Sequence, residues 1–559
     1  MSPFSLHTLH LALWLELAFC FSPAAVISQK TVIKINPATH LGQIQPELYG
    51  TNHRYTNNGS TMWDPQKHAA IPAFTSVYKE IGLRSMRYPA GTAASLFHWK
   101  RSIGPLKDRT DAIEGHSWEN ETKPARTNFG LDEAAGFCEA NNTKLNYMYN
   151  FGNGNAADAA DLVEYLNTPV GKNPNGGIAW AEVRAKNGHP EPYNIVTFEM
   201  GNEMYRQARQ HYWLDGESAK TYEEKYCFGD TLNFIRQPVG DYGSNALNAS
   251  LSNKAPEQVK YVKYPIVLQG TDTVLVNNIA WKRVKSLNNT GKADVYTLDK
   301  VSGKINFGDG VNGNIPYHSG DKNQITVSYT AKRDGLDDYY RAMKAVDPNV
   351  KVYSCLVDTR FILTMGQSPY DGIGMHPYAG TWNLPKTQLP LEQMNDLVML
   401  IADEEVDSIK NTLDLMRKTV SPERRDAMRV INSEYGIAHN DIAPNYQPSI
   451  AQALYSATIL FGCIDHDVPV GSKHSLTGGV FGNAPHFLKT PTAYMFKLFT
   501  QHFGSIRIAS SVVNNPTWLA VSDNKRKLHN NGILEKLKVN TTRGCFGQPL
   551  HYGNKPTPY

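Results

Sequence analysis

Short strand-like runs of apolar residues alternate with helix-like stretches along the chain, and this alternation limits the possible folds more than any other feature. Strands are expected at 83–88, 145–151, 195–200, 350–357, 372–375 and 428–433, and helices at 71–81, 131–140, 156–166, 336–346, 394–418 and 450–461. Strands that alternate with helices form a parallel sheet, because each helix returns the chain to the start of the next strand. Six or seven such units in about 400 residues predict an α/β fold, a (β/α)8 TIM barrel, rather than an open doubly wound sheet.

One long segment departs from this alternation. Between residues 230 and 329 short alternating strands follow one another, at 273–276, 293–297 and 325–329, with the hairpin-type turn pairs Asp309-Gly310 and Asn312-Gly313. We interpret residues 232–329 as an inserted all-β module that follows the fourth barrel strand. The first part of the barrel is then 29–231 and the second part 330–504. Because βα loops lie on the functional face of a barrel, the module is expected there as a wall or a binding platform.

The first 28 residues are predicted to be a signal peptide. An apolar stretch over 9–21, interrupted by Glu16, precedes the small residues 22–25 and is too short to span a membrane. A buried N-terminal helix is the alternative, because no Lys or Arg precedes the apolar stretch. Six Asn-X-Ser/Thr sequons favour a secreted, extracellular glycoprotein, at Asn58, Asn120, Asn141, Asn248, Asn288 and Asn540.

Charge and cysteine usage exclude several function classes. The 56 basic and 52 acidic residues give a net charge of +4, without a long Lys/Arg run, so nucleic acid is not expected as a partner. No other stretch approaches membrane-spanning length. The cysteines form no C-x-x-C pair and no Cys/His metal spacing. We therefore expect neither a metal nor a cofactor, and Cys138 and Cys355 are interpreted as core thiols. The oligomeric state is left open.

Two glutamates follow predicted strands, Glu203 after 195–200 and Glu434 after 428–433. Without the inserted segment, their separation equals about three βα units, which places them on the fourth and seventh barrel strands, facing each other across the barrel mouth. Two carboxylates across a cleft suit glycosidic-bond cleavage, with one acid for the leaving oxygen and one base or nucleophile. Either glutamate alone could be structural, but the pair at this spacing favours catalysis.

The residues around these positions resemble a known family. The matching stretches are LRSMRYPAGTAASLFHWKRSIGP (83–105), FGLDEAAGFCEANN (129–142), AADLVEYLNTP (159–169), VRAKNGHPEPYNIVTFEMGNEMY (183–205), YYRAMKAVDPNVKV (339–352), INSEYG (431–436) and PTAYMFKLFTQHFG (491–504). In their order and content they resemble glycoside hydrolase family 51, the α-L-arabinofuranosidases of the clan of retaining (β/α)8 glycosidases. The likeness covers most of residues 83 to 504 outside the insertion.

The resemblance implies a role for each matching position. Glu203 corresponds to the general acid/base and Glu434 to the nucleophile. The implied substrate-binding residues are Asn202, Arg87, Trp99, His376, Tyr378 and Thr92. An arginine beside Glu434 would keep it ionised, and a tyrosine hydroxyl could orient it. Core aromatic side chains are the alternative interpretation of Trp99, His376 and Tyr378.

Some positions depart from the family pattern. Thr92 stands where the family usually has an asparagine that contacts arabinose, and Arg54 stands near an expected sugar-binding glutamate. Residues 505–559 are short for the usual β-sandwich, so an incomplete sandwich is expected there. The best interpretation is a secreted retaining α-L-arabinofuranosidase-type hydrolase of polysaccharides or oligosaccharides that acts through a covalent glycosyl-enzyme. An endo-β-glucanase or xylanase of the same clan, and a non-catalytic glycan-binding matrix protein, remain alternatives.

Overall fold

Eight parallel strands close into a barrel in the computed structural model, which confirms the predicted fold class. The barrel strands are β1 (Gly50–Asn52), β2 (Ser85–Tyr88), β3 (Lys144–Tyr149), β4 (Thr197–Met200), β5 (Lys351–Ser354), β6 (Gly372–Met375), β7 (Arg429–Ile437) and β8 (Gly471–His474). Strand β6 pairs with β7, so the sheet has no open edge there.

Helices surround this barrel on the outside. They are α1 (Pro72–Ile81), α2 (Leu131–Ala140), α3 (Ala156–Asn167), α4 (Trp180–Lys186), α5 (Tyr222–Phe228), α6 (Leu336–Val346), α7 (Thr359–Met365), α8 (Leu391–Thr419), α9 (Ile450–Asp465) and α10 (Pro491–His502). Their inner faces and the barrel strands share one large apolar core. Cys138 and Cys355 are buried in that core, as the sequence predicted.

The structure describes residues 30–514, apart from 54, 56–58, 60, 111, 113–125, 206–217, 241–250, 263, 318–323, 381–383, 385–389 and 439–447. Beyond residue 514 it describes three short strands, Thr517–Leu519, Ile533–Glu535 and Thr542–Arg543. The predicted signal peptide, most of the C-terminal region and the sequons at Asn58, Asn120, Asn248 and Asn540 therefore lie outside the described residues. Within the described residues, no helix combines the length and apolarity needed to cross a membrane.

Two barrel strands were not predicted from the sequence. Strand β1 has three residues, and β8 contains a lysine and a histidine, so neither shows the apolar run of a buried strand. Strand β7 is longer than expected, because a short strand at Tyr378–Ala379 pairs with Gly436 and Ile437. Glu434 therefore lies within β7 rather than after its end.

Residues between β4 and β5 form two further four-stranded sheets. These sheets share an apolar core of their own, separate from the barrel core. Strands Asp230–Pro238 and Ile325–Arg333 pair antiparallel, with Thr231 opposite Lys332, so the chain leaves and returns at neighbouring positions. The Arg333 guanidinium donates hydrogen bonds to the carbonyl oxygens of Phe151 and Gly152, which fastens this region to the loop after β3.

A separate antiparallel sheet joins the two ends of the described chain. The strand Val32–Gln43 pairs with Ile506–Val513, which pairs in turn with Thr542–Arg543.

Candidate active site

The turn after β4 directs Glu203 towards the barrel axis. Gly201 has a φ of 89° and Glu203 a φ of 47°, and the left-handed region is uncommon for a glutamate. A Cβ atom on Gly201 would lie 2.9 Å from the Met204 side chain, so this tight turn depends on glycine. Such strained backbone clusters at functional sites, where the surrounding packing maintains it.

Two donors hold the Glu434 carboxylate in β7. The Arg87 Nη1 atom donates to Oε2 at 3.0 Å, and the Tyr378 hydroxyl donates to Oε1 at 2.6 Å. Arg87 is only 1% exposed and the Glu434 side chain 12% exposed, so water competes little with these bonds. The arrangement brings together three of the residues that the sequence singled out, Arg87, Tyr378 and Glu434.

The surroundings of Glu434 favour its ionised form. Burial raises the pKa of this carboxyl group, but the positive charges of His474, His376 and Arg87 and the hydrogen bond from Tyr378 outweigh burial and lower the pKa to about 2. The imidazoles contribute only while protonated, whereas Arg87 and Tyr378 act throughout the neutral range. Burial beside Glu434 also raises the pKa of Tyr378 well above its usual value, so its hydroxyl remains a donor.

Arg87 is itself fixed by a buried carboxylate, Glu199, that sequence reasoning missed. Its Nε atom donates to Glu199 Oε2 at 2.8 Å, and Ser433 Oγ donates to Glu199 Oε1 at 2.8 Å. A Cβ atom on Gly374 would lie 2.4 Å from Glu199 Oε1, so glycine in β6 leaves room for the carboxylate. A charged residue within an otherwise apolar strand, TFEM, was the signal that could have identified it.

His376 lies between the two glutamates. Its Nδ1 atom is 3.2 Å from Glu203 Oε1 and 3.8 Å from Glu434 Oε2. Arg87 Nη2 approaches its Nε2 atom at 3.3 Å, and since a guanidinium can only donate, Nε2 accepts this bond when the ring is neutral. In that form Nδ1 carries the hydrogen atom and donates to Glu203 Oε1, whereas the protonated ring supplies the positive charge that lowers the pKa of Glu434. The ring position is thus fixed from both sides.

Because both carboxylate oxygens contact one nitrogen atom, their separation has an upper limit. Two atoms 3.2 and 3.8 Å from a third cannot be more than 7.0 Å apart. Retaining glycosidases hold their two catalytic carboxyl groups about 5–5.5 Å apart, whereas inverting glycosidases hold them about 6.5–9.5 Å apart. The limit applies to this pair of oxygen atoms and is compatible with the retaining separation.

Asn202 also belongs to this cluster. It is 2% exposed, and its Oδ1 atom accepts a hydrogen bond from Arg87 Nη2 at 3.1 Å. Its neighbour Glu203 accepts a second bond at Oε1, from the Tyr205 hydroxyl at 2.9 Å. Tyr205 was another residue that the sequence did not single out.

Strand β8 adds two polar side chains that sequence reasoning missed. His474 Nδ1 lies 3.9 Å from Glu434 Oε1 and 3.2 Å from the Asn52 side-chain amide in β1. Lys473 is fully buried, and burial lowers its pKa to about 7 although the Glu434 charge opposes that shift. Because neither short strand was recognised in the sequence, neither residue could be assigned to the barrel mouth.

The remaining predicted residues lie elsewhere or outside the description. Trp99 is 1% exposed, packs against Tyr165 and Trp180, and donates its indole N–H to Asp158 at 3.0 Å. This packing agrees with the core alternative for Trp99, and its role in substrate binding stays a prediction. Thr92 is 9% exposed at the start of a short helical turn after β2. Arg54 lies outside the described residues.

The chemistry of the site rests on carboxylates and hydrogen-bond donors. Within the described part of the chain, no group of three or more His, Cys, Asp or Glu side chains is placed to hold a metal ion. The arrangement combines one firmly ionised carboxylate with a second carboxyl group on the other side of a shared imidazole. That combination suits a substitution reaction that also needs a proton donor.

Comparison with known proteins gives matches to α-L-arabinofuranosidases. A family model described as the alpha-L-arabinofuranosidase 1 domain matches residues 77–257. The "Intracellular exo-alpha-(1->5)-L-arabinofuranosidase 1" of Bacillus subtilis is 25% identical over 280 residues, 47% of this chain and 53% of that protein. The "Probable alpha-L-arabinofuranosidase C" of Aspergillus niger is 30% identical over 180 residues, 31% of this chain and 34% of that protein. The chain thus spans about half or less of these relatives.

Solved structures share the fold along more of the chain. An α-L-arabinofuranosidase from Thermotoga maritima in complex with arabinose superposes with a TM-score of 0.55 at 17% identity, covering 88% of this chain and 77% of that one. A family 51 α-L-arabinofuranosidase from Bifidobacterium longum gives a TM-score of 0.58 at 15% identity, covering 90% and 81%. At these identities the likeness concerns the fold.

Proposed function

We propose that the chain is a member of glycoside hydrolase family 51 and an α-L-arabinofuranosidase that acts with retention of configuration. The observation that carries this proposal is the contact of Glu434 with Arg87 and Tyr378, opposite Glu203 across His376. A nucleophile must be ionised, and the pKa of about 2 keeps Glu434 ionised at neutral pH. The proposed sugar, α-L-arabinofuranose, is taken from the names of the relatives.

In the first step, Glu434 attacks the anomeric carbon of the sugar while Glu203 protonates the departing glycosidic oxygen. Oε1 of Glu203 already accepts hydrogen bonds from His376 and Tyr205, so the transferred proton is carried on Oε2. The bond from the anomeric carbon to the leaving oxygen breaks as the bond to Glu434 forms. Arg87 and Tyr378 keep the attacking carboxylate in one orientation.

In the second step, water hydrolyses the glycosyl-enzyme. Glu203, now ionised, takes a proton from the water as it attacks the anomeric carbon, and Glu434 departs as a carboxylate. The hydrogen bonds from His376 and Tyr205 stabilise the anionic form of Glu203 at this stage. The same low pKa that makes Glu434 a ready nucleophile makes it a good leaving group.

The anomeric configuration of the first-formed sugar tests this mechanism. NMR of an aryl α-L-arabinofuranoside reaction should show retention, and an inverted first product would refute it. Glu434→Ala should abolish turnover, because no glycosyl-enzyme can form. Glu203→Ala should retain the first step with an activated aryl leaving group, and added azide should restore its turnover, since azide needs no general base. Glu434→Ala serves as the matched control for the azide effect.

A panel of glycosides tests the sugar. We expect hydrolysis of aryl α-L-arabinofuranosides in preference to β-glucosides and β-xylosides. Preferred release of internal fragments from a β-glucan or xylan would instead favour the endo-acting alternative. Glycan binding without hydrolysis of any substrate would favour the non-catalytic alternative.

Secretion is a further part of the proposal, and it rests on the signal-like first 28 residues and the sequons. The Bacillus subtilis relative is named intracellular, so relatives do not supply this assignment. Asn288 is exposed, whereas the Asn141 side-chain nitrogen donates to the Phe137 carbonyl at 2.6 Å. Peptide mapping should therefore find a glycan at Asn288 and a mature N-terminus near residues 26–29. An intact Met1 on secreted protein would contradict it.

A further inference from the structure

A cavity lies beside the loops after β2 and β3, on the same face of the barrel as the glutamates. Its volume is about 430 Å³, within the range of small-ligand sites. One wall is the loop after β2, and a second wall is the loop after β3 with the start of α3. The third wall comes from the region between β4 and β5, where Asp299 and Val301 form the turn between strands Val295–Leu298 and Lys304–Phe307.

The polar groups of this cavity are held in place before any ligand binds. Lys100 Nζ lies 2.9 Å from Asp158 and 2.5 Å from Asp161, two carboxylates one turn apart on α3. The ammonium group also lies 4.7 Å from the centre of the Trp180 ring. Across the cavity, Arg101 Nη2 lies 3.8 Å from Asp299 Oδ2. Groups fixed in this way lose little conformational freedom when a ligand binds.

The balance of charge indicates the class of ligand. Among the described residues that line the cavity, the three carboxylates of Asp158, Asp161 and Asp299 face two cations, Lys100 and Arg101, so these residues nearly balance in charge. A phosphate would meet the three carboxylates, and an apolar ligand would desolvate all five charges without replacing their hydrogen bonds. Sugar hydroxyl groups both donate and accept, so they can bond to carboxylates and cations side by side.

Packed residues connect this cavity to the catalytic cluster. The loop after β3 runs from the cavity-lining Gly154 and Asn155 back to Phe151, whose Cβ atom faces Gly201 in the turn before Glu203. Ser95, in the loop after β2, contacts Met204 next to Glu203. A glycan held in the cavity therefore lies on the β2–β3 side of the cleft.

We propose that this cavity is a distal saccharide-binding site that takes a sugar unit of a glycan whose end occupies the cleft between Glu203 and Glu434. The proposal rests on the proposed glycosidase function and assigns the Asp299–Val301 turn a part in it. The site contributes to binding of chains and not to the chemistry of a single glycosidic bond. It therefore distinguishes polymeric and oligomeric substrates from small aryl glycosides.

Filling the cavity tests the proposal. Val301→Trp should obstruct it, and Arg101→Ala should remove one donor without adding volume. Val311→Trp is the matched control, because Val311 is 69% exposed in the same β region and does not line the cavity. Each protein is assayed for kcat/KM on an aryl α-L-arabinofuranoside and on soluble arabinan, and for retardation of native electrophoresis by arabinan in the gel.

Val301→Trp should lower kcat/KM on arabinan about tenfold through KM, with aryl glycoside activity within twofold of the wild type. Arg101→Ala should give a smaller loss of the same kind, and the control should match the wild type. An unchanged ratio of arabinan to aryl activity in both cavity variants would overturn the proposal. If the wild type hydrolyses neither substrate, the proposed function fails. In that case the binding assay still tests the cavity: equal retardation of the wild type and Val301→Trp by arabinan would overturn the proposed saccharide-binding site.

Discussion

Removing the Tyr378 hydroxyl is the most direct test of how the site controls Glu434. Tyr378→Phe keeps the ring and deletes only the donor that lies 2.6 Å from Glu434 Oε1. The ionised form of Glu434 loses one of its stabilising contacts, while burial continues to favour the protonated form. The pKa of Glu434 must therefore rise.

The size of this rise follows from the strength of the bond. A hydrogen bond to a charged group contributes about 1.5–3 kcal/mol, and one pKa unit corresponds to about 1.4 kcal/mol. The pKa of Glu434 should then increase from about 2 to roughly 3–4. Glu434 has to be ionised to attack, so the acid limb of the pH profile moves upward by the same amount.

The assay is kcat/KM against pH on an aryl α-L-arabinofuranoside, with each sample reassayed at pH 6 to exclude acid inactivation. The wild type should keep its activity to about pH 3, whereas Tyr378→Phe should lose half of its own between roughly pH 3 and 4.

Tyr435→Phe is the matched control for this assay. Tyr435 is fully buried next to Glu434, and its hydroxyl has no hydrogen-bond partner among the described residues. Coincident acid limbs for Tyr378→Phe and the wild type would refute the reasoning, as would an equal shift in the control.

Three further predictions concern other parts of the molecule. The pKa of Lys473 is about 7 in the folded protein, against 10.5 for an ordinary lysine. The unfolded chain binds the extra proton between these values, so the free energy of unfolding should rise by up to about 1.4 kcal/mol per pH unit across this window. Lys473→Met should abolish that slope in urea unfolding at pH 7 to 9, and parallel slopes would contradict the assignment. Deletion of residues 232–329 should leave a barrel that unfolds cooperatively by circular dichroism, because Thr231 and Lys332 already pair; loss of cooperativity would refute this. Thr92→Asn should raise kcat/KM on an aryl α-L-arabinofuranoside about two- to tenfold by restoring one donor to the sugar, whereas an unchanged value would show that another group makes the contact.

Local sequence patterns were sufficient for much of the barrel. Helices α2 and α6 and strand β6 have the predicted bounds, because their apolar spacing and end signals are encoded within a few neighbouring residues. The regular length of βα units likewise placed Glu203 after the fourth strand and Glu434 on the seventh. Strands β1 and β8 were not predicted, because they are strands through pairing with their neighbours in the barrel and not through their own composition.

The electrostatic state of the site was decided only by the tertiary structure. Arg87 contacts Glu199 and Glu434, which lie 112 and 347 residues away in the chain, and Lys473 reaches the same region from a strand that showed no signal. The packing of Trp99 in the core was decided in the same way. The sequence determines which side chains are present and which barrel strand carries most of them. Protonation and orientation depend on distances of a few ångströms between residues far apart in sequence, and those distances exist only after the barrel has closed.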